Sequence, residues 1–401
     1  MLIKQSKSKK FTLIAALSTS LFLASCADGV IENSANSSSS ASSSKTKSLA
    51  TTKLNELYCP AGSENEQLDL TDVNLTRVDN IPLMYQGANN VEGPVWHDGA
   101  LYYTNMGAHQ PDEKGFKLTN QTTIWHWVPG SKPEVWLDDT IAGTNGLALN
   151  SKGELIATRH LDGSISKIDW KTKQITPIVS GYQNKRFNSP NDLTLADDDT
   201  IYFTDPNWNI PSNVDLATVQ GGGKAGSTEA GQRIYRVTAD GKVNAIAVTE
   251  LVPALADKPN GIMLSLDQQK LIVGGLQGLW VFSLNKGEVS QPKQLLNTPI
   301  DGLGKDCSGN IYVTTTRELA DRKDGQVVVI LDNAQKEVGT LNVDSIHIVT
   351  NIAFGGSDGK TLFVTGLTAP MDGEKPRLCG EEVCLQAGIY SAELNVKGFP
   401  F

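Results

Sequence analysis

Six residues with carboxylate or carboxamide side chains recur at the same place in a repeated sequence pattern, and their oxygens could bind a cation or a polar substrate. They are Glu92, Asn145, Asn191, Asn260, Asp301 and Asn351. Asn and Asp are poor strand formers, yet these residues stand at the start of segments with the apolar alternation of strands. Turn formation is one explanation, because Pro-Asn, Asn-Gly and Asp-Gly are common turn dipeptides. For Asn145 and Asn351 this explanation stays as open as a binding role.

The other explanation is a site for a hard divalent cation. Calcium binds about six to eight oxygen ligands from carboxylates, amides and water. Glu92 and Asp301 would supply two negative charges, and Asn191 and Asn260 would supply neutral oxygens. No His or Cys stands at the six repeated positions, which argues against a structural zinc site. We therefore expect one divalent cation, with Ca²⁺ in the first place and Zn²⁺ or Mn²⁺ as alternatives.

The repeat that carries these residues predicts the fold. Successive repeated positions are 53, 46, 69, 41 and 50 residues apart, and a propeller blade of four antiparallel strands takes about 40–50 residues. The longest interval contains the run Gly221–Gly223, which is typical of a loop. A further strand pattern occurs in each repeat, at Thr123–Val128, Ser164–Asp169, Gln232–Val237, Gly278–Leu284, Val327–Leu331 and Gly388–Ala392. The sequence therefore predicts an all-β protein with one six-bladed β-propeller.

A closed propeller would bring the six repeated positions together, because the innermost strand of each blade begins beside the central channel. The ring of blades also needs a closure, since an open edge strand invites aggregation. The segment Val73–Tyr85 precedes the first repeat, and we expect it to add an outer strand to the last blade.

Several segments resemble the family of gluconolactonases, regucalcin (senescence marker protein 30) and related lactonases, and bacterial gluconolactonases in particular. They are EGPVW from Glu92, TNGLAL from Thr144, RFNSPNDLTL from Arg186 with IYFTDP from Ile201, KPNGIMLSLD from Lys258 and DGLGKDCSGNIYVT from Asp301. The resemblance runs from about residue 85 to 395 with the segments in the family's order. It implies a propeller that binds one catalytic divalent cation at the bottom of its central pocket.

The resemblance also assigns roles to individual residues. It implies that Glu92, Asn260 and Asp301 bind the cation, and that Asn191 contacts the cation or the substrate. Asp192 resembles an acid that assists catalysis in relatives. We further expect Asn145 and His160 to contact the substrate.

The wall around His160 departs from the family. Bacterial relatives often have Glu-His-Gly after the second repeat, whereas this chain has Arg159-His160-Leu161. The histidine is kept and its neighbours differ, which puts the specificity of that wall in doubt.

The reaction that this resemblance implies is metal-assisted opening of a sugar lactone. Asp301 or Asp192 could accept the proton of the attacking water, and the sequence does not choose between them. For Asp192, a hydrogen bond to a local backbone amide is an equally open role. Two other functions stay open: an esterase or phosphotriesterase-like hydrolase with the same site, and a non-catalytic propeller that binds a ligand or a protein. Trp208, which follows Thr204–Asn207, is the tryptophan that we single out for contact with a sugar.

The N-terminus predicts export and a lipid anchor. Four lysines (Lys4, Lys7, Lys9 and Lys10) precede the apolar stretch Phe11–Ala24, which ends in Leu23-Ala24-Ser25-Cys26 and resembles a bacterial lipobox. We expect a signal peptide over residues 1–25, a lipidated Cys26 with a flexible linker over 26–55, and the propeller over 56–401. In a Gram-negative cell the anchor would lie in the outer membrane facing the periplasm. An ordinary secretory signal is the alternative.

The net charge limits the classes of partner that the chain can have, and the cysteines limit its possible disulfides. The net charge is −9 and no basic stripe follows the leader, so nucleic acid is excluded as a partner, and no obligate protein partner is evident.

Besides Cys26 the chain has Cys59, Cys307, Cys379 and Cys384. In an oxidising compartment disulfides are expected. Four cysteines allow three connectivities; we favour Cys379–Cys384, whose members are five residues apart.

Overall fold

A computed structural model describes the chain from residue 53 to the C-terminus, with gaps. The described residues are 53–78, 90–106, 109–112, 115–118, 122–139, 143–208, 218–220, 231–318, 325–343, 346–368, 371–372, 375–376, 378–379, 382–383 and 386–401. The chain divides into two units, Met1–Leu49 and Ala50–Phe401, and the described residues all belong to the second. The predicted signal peptide, the anchor residue Cys26, the glycine run at 221–223 and Cys384 lie outside the described residues.

The N-terminal half of the unit forms three four-stranded sheets. After helix α1 (Leu54–Tyr58) and a 3-10 turn at Ser63–Asn65 come β1 (Thr76–Arg77) and the first blade, β2 (Asn90–His97), β3 (Ala100–Met106), the hairpin β4 (His109–Asp112) and β5 (Gly115–Leu118), β6 (Thr122–Trp127) and β7 (Glu134–Asp139). The second blade is β8 (Thr144–Leu149), β9 (Leu155–Arg159), β10 (Ser164–Ile168) and β11 (Ile175–Val179). The hairpin β12 (Gly181–Tyr182) and β13 (Lys185–Arg186) leads to the third blade, β14 (Leu193–Leu195), β15 (Ile201–Asp205), β16 (Arg233–Val237) and β17 (Val243–Ile246).

The C-terminal half forms three more blades. Helix α2 (Val248–Leu251) and a 3-10 turn at Pro253–Ala256 precede the fourth blade, β18 (Pro259–Leu264), β19 (Lys270–Gly275), β20 (Gly278–Asn285) and β21 (Glu288–Leu296). The fifth is β22 (Ile300–Lys305), β23 (Ile311–Arg317), β24 (Gly325–Leu331) and β25 (Glu337–Asn342). The sixth contains β26 (Ile346–Gly355), β27 (Thr361–Thr368) and β32 (Gln386–Glu393), with the short hairpins β28 (Met371–Asp372), β29 (Lys375–Pro376), β30 (Leu378–Cys379) and β31 (Glu382–Val383) before β32.

The six sheets form a closed ring, so the predicted six-bladed propeller is confirmed. The first strands of neighbouring blades contact each other all the way round: β2 with β8, β8 with β14, β14 with β18, β18 with β22, β22 with β26, and β26 with β2. Each interface between two neighbouring blades contains its own cluster of buried apolar side chains. The described core is therefore six interfaces, each closed by the hydrophobic effect.

The ring is closed by a strand from the N-terminal side of the chain. Strand β1 pairs antiparallel with β32, with Thr76 opposite Ser391 and Arg77 opposite Tyr390, and it is the outer strand of the sixth blade. The predicted closure by the segment before the first repeat is thus confirmed at these two residues. The last blade is completed by a strand that pairs with residues more than 300 positions away in the sequence, so the ring closes only when both ends of the unit are in place.

Both ends of the unit also cover one face of the ring, which we call the turn face. It is formed by the turns between the first and second strands of the blades. The backbone N–H of Asn55 donates to Asp197 in the third blade (3.1 Å), and a disulfide joins Cys59 to Cys307 in the turn of the fifth. The C-terminal segment 397–401 lies on the same face, where its carbonyls accept hydrogen bonds from the N–H groups of Trp96 (2.9 Å) and Cys307 (2.7 Å).

The observed disulfide leaves one of the three connectivities for the other two cysteines. With Cys59 bonded to Cys307, Cys379–Cys384 is the remaining intramolecular pair, and it stays a prediction because Cys384 is outside the described residues. Among the residues that the structure describes, no helix is both long and apolar enough to cross a bilayer.

We expect loss of the Cys59–Cys307 bond to destabilise the propeller, because the bond closes a loop of 248 residues in the unfolded chain. The free energy of unfolding of the double variant Cys59→Ser/Cys307→Ser should be about 2–4 kcal/mol lower than that of the wild type. Chemical denaturation under oxidising conditions measures the difference. A reducing agent should lower the stability of the wild type by more than that of the variant, in which only the predicted Cys379–Cys384 bond is left to reduce. Equal stability of the two oxidised proteins would contradict this role.

Candidate functional site

The repeated polar residues lie at the starts of the first strands, on the side opposite the turn face. In five blades the pairing of the first two strands shifts register there, between Glu92 and Val95, Thr144 and Leu147, Pro259 and Ile262, Ile300 and Leu303, and Val349 and Ile352. In the third blade β14 begins only at Leu193, directly after Asn191 and Asp192. Such irregularities change the direction of the side chains that precede the regular ladder.

The glycines that follow four of these residues allow close packing between blades. A Cβ atom at Gly93 would lie 2.2 Å from the carbonyl oxygen of Asn145, and one at Gly261 would lie 2.3 Å from that of Asp301. A Cβ atom at Gly146 would lie 2.7 Å from the carbonyl oxygen of Asn191, and one at Gly302 would lie 2.5 Å from Cα of Asn351. The dipeptides Glu-Gly, Asn-Gly and Asp-Gly therefore serve close approach of backbones, not turns. Asn145 and Asn351, for which a turn was the alternative, lie within strands β8 and β26.

A set of buried threonines in the second strands holds this backbone, and the sequence argument missed it. They are Thr104, Thr158, Thr204, Thr314 and Thr365. The hydroxyl of Thr314, for example, accepts from the N–H of Gly302 (2.7 Å) and lies 2.8 Å from the carbonyl oxygen of Thr350 in the next blade. In the fourth blade the corresponding position is Gly274, where a Cβ atom would lie 2.4 Å from Ile300. The recurrent Thr near the end of the second strand pattern was the available signal.

Three carboxyl groups interact electrostatically at the centre of the ring. Burial, followed by the negative charges of Asp301 and Asp192, raises the pKa of Glu92 well above its usual range. Burial and the charge of Asp192 raise the pKa of Asp301 to about 8. Burial also raises the pKa of Asp192 to about 7. Each shift means that a negative charge is unfavourable there unless a positive charge is added.

Two amides donate hydrogen bonds to these carboxylates. The side chain of Asn351 hydrogen-bonds to both Glu92 and Asp192, and that of Asn260 hydrogen-bonds to Asp301. The carboxylate of Asp192 also accepts from the N–H of Leu193 (3.0 Å). The hydrogen bond to a local backbone amide, which the sequence left open for Asp192, is therefore present. Asp192 also lies among the other carboxyl groups.

Asn145 presents an oxygen that lacks a hydrogen-bond partner among the described residues. Asn145 is 1% exposed, its Nδ2 lies 3.1 Å from Nε2 of His160, and its Oδ1 is buried without a partner there. Burial, and then the positive charge of Lys258, lower the pKa of His160 to about 3, so the ring is neutral and Nε2 can accept from the amide. His160, which is itself buried, therefore orients the amide of Asn145. An unsatisfied buried oxygen calls for a ligand that the protein does not itself supply.

The donor set fits a hard divalent cation. No three His, Cys, Asp or Glu side chains in the described part of the chain form a cluster that could hold a metal by themselves, so a cation here would need amide oxygens beside Glu92 and Asp301. Asn191 (6% exposed) and Asn260 stand at adjacent places of the ring. The mutual repulsion of the carboxyl groups and the buried amide oxygen are both features that a cation or a polar ligand would relieve.

The space beside the site is closed toward the turn face. A cavity of about 20 Å³ is lined by Asp192, Asn351, Lys305 and the C-terminal Phe401, among others. That volume is enough for about one water molecule. A larger cleft of about 520 Å³ lies on the turn face beside Trp96 and contains none of the repeated polar residues.

The family can now be stated. Residues 91–368 match the family described as SMP-30/Gluconolactonase/LRE-like region. The chain belongs to this family. A gluconolactonase of Zymomonas mobilis is 26% identical over 240 residues, which cover 56% of this chain and 60% of that protein. A pentonolactonase of Haloferax volcanii is 28% identical over 300 residues, which cover 73% of this chain and 85% of that protein.

Solved structures of family members agree with the fold. A gluconolactonase of Xanthomonas campestris superposes with a TM-score of 0.56 at 23% identity, covering 81% of this chain and 91% of that one. A protein from Agrobacterium tumefaciens named as calcium-binding regucalcin superposes with a TM-score of 0.53 at 16% identity, covering 82% and 98%. At these identities the structures bear on the propeller alone. The matched part spans less than two thirds of the Zymomonas relative. The two sequence relatives are named for lactone hydrolysis.

We expect the threonine hydroxyls to be needed for the stability of the ring. Thr314→Val keeps the shape of the side chain but leaves the N–H of Gly302 without its acceptor, so it should cost about 1–3 kcal/mol of unfolding free energy. Thr176→Val, on the exposed outer strand β11, is the matched control and should change stability by less than about 0.5 kcal/mol. A denaturation curve for each protein checks this, and equal effects of the two substitutions would refute it.

Proposed function

We propose that this propeller hydrolyses a sugar lactone with the help of one divalent cation. The family membership and the two relatives named as lactonases support the reaction. The observation that carries the proposal is the central group of Glu92, Asp192 and Asp301, whose carboxyl pKa values all lie above their ordinary range. Carboxyl groups with shifted pKa values that are gathered at the central channel of a propeller are typical of a catalytic site.

The reaction adds one water to the lactone. The water oxygen forms a bond to the carbonyl carbon, the bond between that carbon and the ring oxygen breaks, and the ring oxygen takes up a proton to become a hydroxyl. The product is a hydroxy acid, which releases its proton near neutral pH. A divalent cation held by Glu92, Asn260 and Asp301, with Asn191 beside them, would polarise the carbonyl and stabilise its developing negative charge.

The chain's own residues supply the proton transfers and the orientation. Asp192 belongs to the same carboxyl group cluster and has its pKa raised to about 7, so it can accept the water's proton and return a proton to the leaving ring oxygen. Asp301 is the alternative acceptor. Asn145, held by His160, offers its Oδ1 to a hydroxyl of the sugar. Asn351 holds Glu92 and Asp192 in place through its amide.

Ca²⁺ is the cation that we favour, because the donor set consists of carboxylate and amide oxygens. Zn²⁺ and Mn²⁺ are the alternatives. The same arrangement of a cation and carboxylates would also suit another carboxylic ester or a phosphotriester, since the fold does not determine the substrate. A propeller that only binds its ligand is the third alternative.

We expect the full-length chain to hydrolyse D-glucono-δ-lactone and to lose that activity when a chelator removes the cation. Adding Ca²⁺, Zn²⁺ or Mn²⁺ back should restore the activity. The most effective ion identifies the class of cation that suits the site. Release of acid, followed with a pH indicator, measures the rate. Full activity in chelator would contradict the role of the cation.

Asp301→Asn should lower kcat/KM at least about 100-fold, because it removes one of the two charges that would face the cation. Asp240→Asn is the matched control, since Asp240 lies in an exposed turn of the third blade and should change the rate little. If both variants retain wild-type rates, the central site is not catalytic. If the wild type hydrolyses no lactone but does hydrolyse a phosphotriester, the alternative of a phosphotriesterase-like hydrolase is correct.

We also propose that the protein is exported and anchored by a lipid on Cys26, in the outer membrane of a Gram-negative cell. The lysines before the apolar stretch, the sequence Leu-Ala-Ser-Cys and the linker in which eight of the eleven residues 34–44 are Ser support this. Cys26→Ser should abolish incorporation of a labelled fatty acid and release the protein from the membrane fraction. Cys379→Ser should leave both unchanged. Membrane retention and labelling of the Cys26→Ser protein would contradict the anchor.

A further inference from the structure

A buried lysine stands beside the site and forms no ion pair within hydrogen-bonding distance of a carboxylate among the described residues; the charge of the neighbouring Asp257 acts on it through space. Lys258 is 7% exposed and precedes the first strand of the fourth blade by one residue, two positions before Asn260. The ion pairs that the structure describes do not include it. Burial of a charged group is costly unless it is paired or hydrogen-bonded.

The position of this ammonium group is tightly specified. Its Nζ donates to the backbone carbonyl (3.0 Å) and to Oδ1 (2.5 Å) of Asn207, and it lies 4.2 Å from the ring centroid of Trp208. Gln232 joins the two segments, because its Oε1 accepts from the N–H of both Asn207 (3.2 Å) and Lys258 (3.1 Å). An ammonium group has three N–H donors, so two are used by Asn207 and one remains.

The aromatic neighbour has an open surface. Trp208 is 39% exposed although its backbone N–H is fixed by Ser189 Oγ (2.9 Å) and one side of its ring lies near Lys258. It follows strand β15 by three residues, at the end of the strand on the side of the site. A fixed indole with an exposed surface can pack against the apolar face of a sugar ring.

The other cations of this wall are already engaged. Arg159 forms an ion pair with Asp162 (2.5 Å). Arg186 donates to the backbone carbonyls of His160, Leu161 and Asn188. Lys258 differs from both arginines, since its hydrogen bonds to described residues include no carboxylate and use two of its three donors.

We propose that Lys258 and Trp208 form a subsite for the sugar part of the lactone, and that Lys258 binds a carboxylate carried by the substrate away from the ring carbonyl that is attacked. The inference rests on the proposed lactonase function and names its substrate class, the monolactones of sugar dicarboxylic acids. A carboxylate suits one remaining ammonium donor better than a phosphate, whose oxygens usually gather several donors. Trp208 holds the sugar against the wall, and the carboxylate completes the charge balance of the buried lysine.

Two lactones with the same ring test this inference. D-Glucaro-1,4-lactone and D-glucono-1,4-lactone differ in the last carbon, which is a carboxylate in the first and a hydroxymethyl group in the second. The full-length wild type should show the higher kcat/KM for the carboxylate lactone. In Lys258→Met the ratio of the two values should fall by about 10- to 100-fold, the worth of a hydrogen bond to a charged group. An unchanged ratio in the folded variant would overturn the inference.

Lys173→Met is the matched control, because Lys173 also lies over an indole ring, at 4.9 Å from the centroid of Trp136, but in the turn between β10 and the outer strand β11 of the second blade. It should leave the ratio unchanged. Trp208→Leu, at an exposed side chain, should raise KM for both lactones, which separates sugar packing from charge recognition. If Trp208→Leu leaves both KM values unchanged, the sugar part of the inference is wrong.

A binding measurement keeps the inference independent of turnover and of folding of the lysine variant. The open-chain acids D-glucarate and D-gluconate are titrated calorimetrically into the unmodified chain. At least about tenfold tighter binding of D-glucarate supports the subsite, and equal binding overturns it. If the wild type hydrolyses neither lactone but prefers D-glucarate, the lactonase proposal fails while the subsite stands. If it hydrolyses the neutral lactone and shows no preference, the subsite alone fails.

Discussion

Burial of three carboxyl groups close to one another is the constraint on which the site of this propeller depends. Glu92, Asp192 and Asp301 belong to three different blades, and the charge of Asp192 disfavours ionisation of both others. Folding gathers them because the blades pack face to face through buried apolar clusters and their first strands begin at one channel. The amides of Asn260 and Asn351 offset part of the cost by donating to the carboxylates. A bound cation or a proton would offset the remainder, in agreement with the proposed metal site.

The scaffold holds this unfavourable group with two devices that repeat around the ring. Glycines let the backbone of one blade approach the polar residue of the next within a distance that no Cβ atom would allow. Buried threonine hydroxyls bond to that same backbone and take the place of the interrupted strand ladder. On the turn face, the disulfide and the C-terminal segment join the ends of the chain to several blades. The cost of the site is thus distributed over contacts that extend through the whole ring.

The fold could be predicted from the sequence because each blade repeats the same pattern. The markers from Glu92 to Asn351 counted the blades correctly, and even the closure by Thr76–Arg77 followed from the need to cover an edge strand. The convergence of the polar residues followed from that geometry. The pairing of Cys59 with Cys307 could not be derived, because it depends on how the N-terminal segment crosses the turn face, and no local spacing records that path.

Other features of the site were hidden for physical reasons. Thr and Lys are ordinary residues of strands and surfaces, so neither the threonine set nor Lys258 stands out by type. Their roles arise from burial and from contacts between blades. His160 was expected to contact the substrate, and this stays a prediction; its hydrogen bond to Asn145 depends on packing that the sequence does not record.

The most direct test of the central claim is the position of a bound metal in a crystal of the full-length protein grown or soaked with Mn²⁺. The anomalous difference map should show one strong peak on the propeller axis, within bonding distance of oxygens of Glu92, Asn260 and Asp301, and soaking with Ca²⁺ should displace it. A map without a peak there, or with its strongest peak on the turn face, would contradict a metal-binding centre built from these residues.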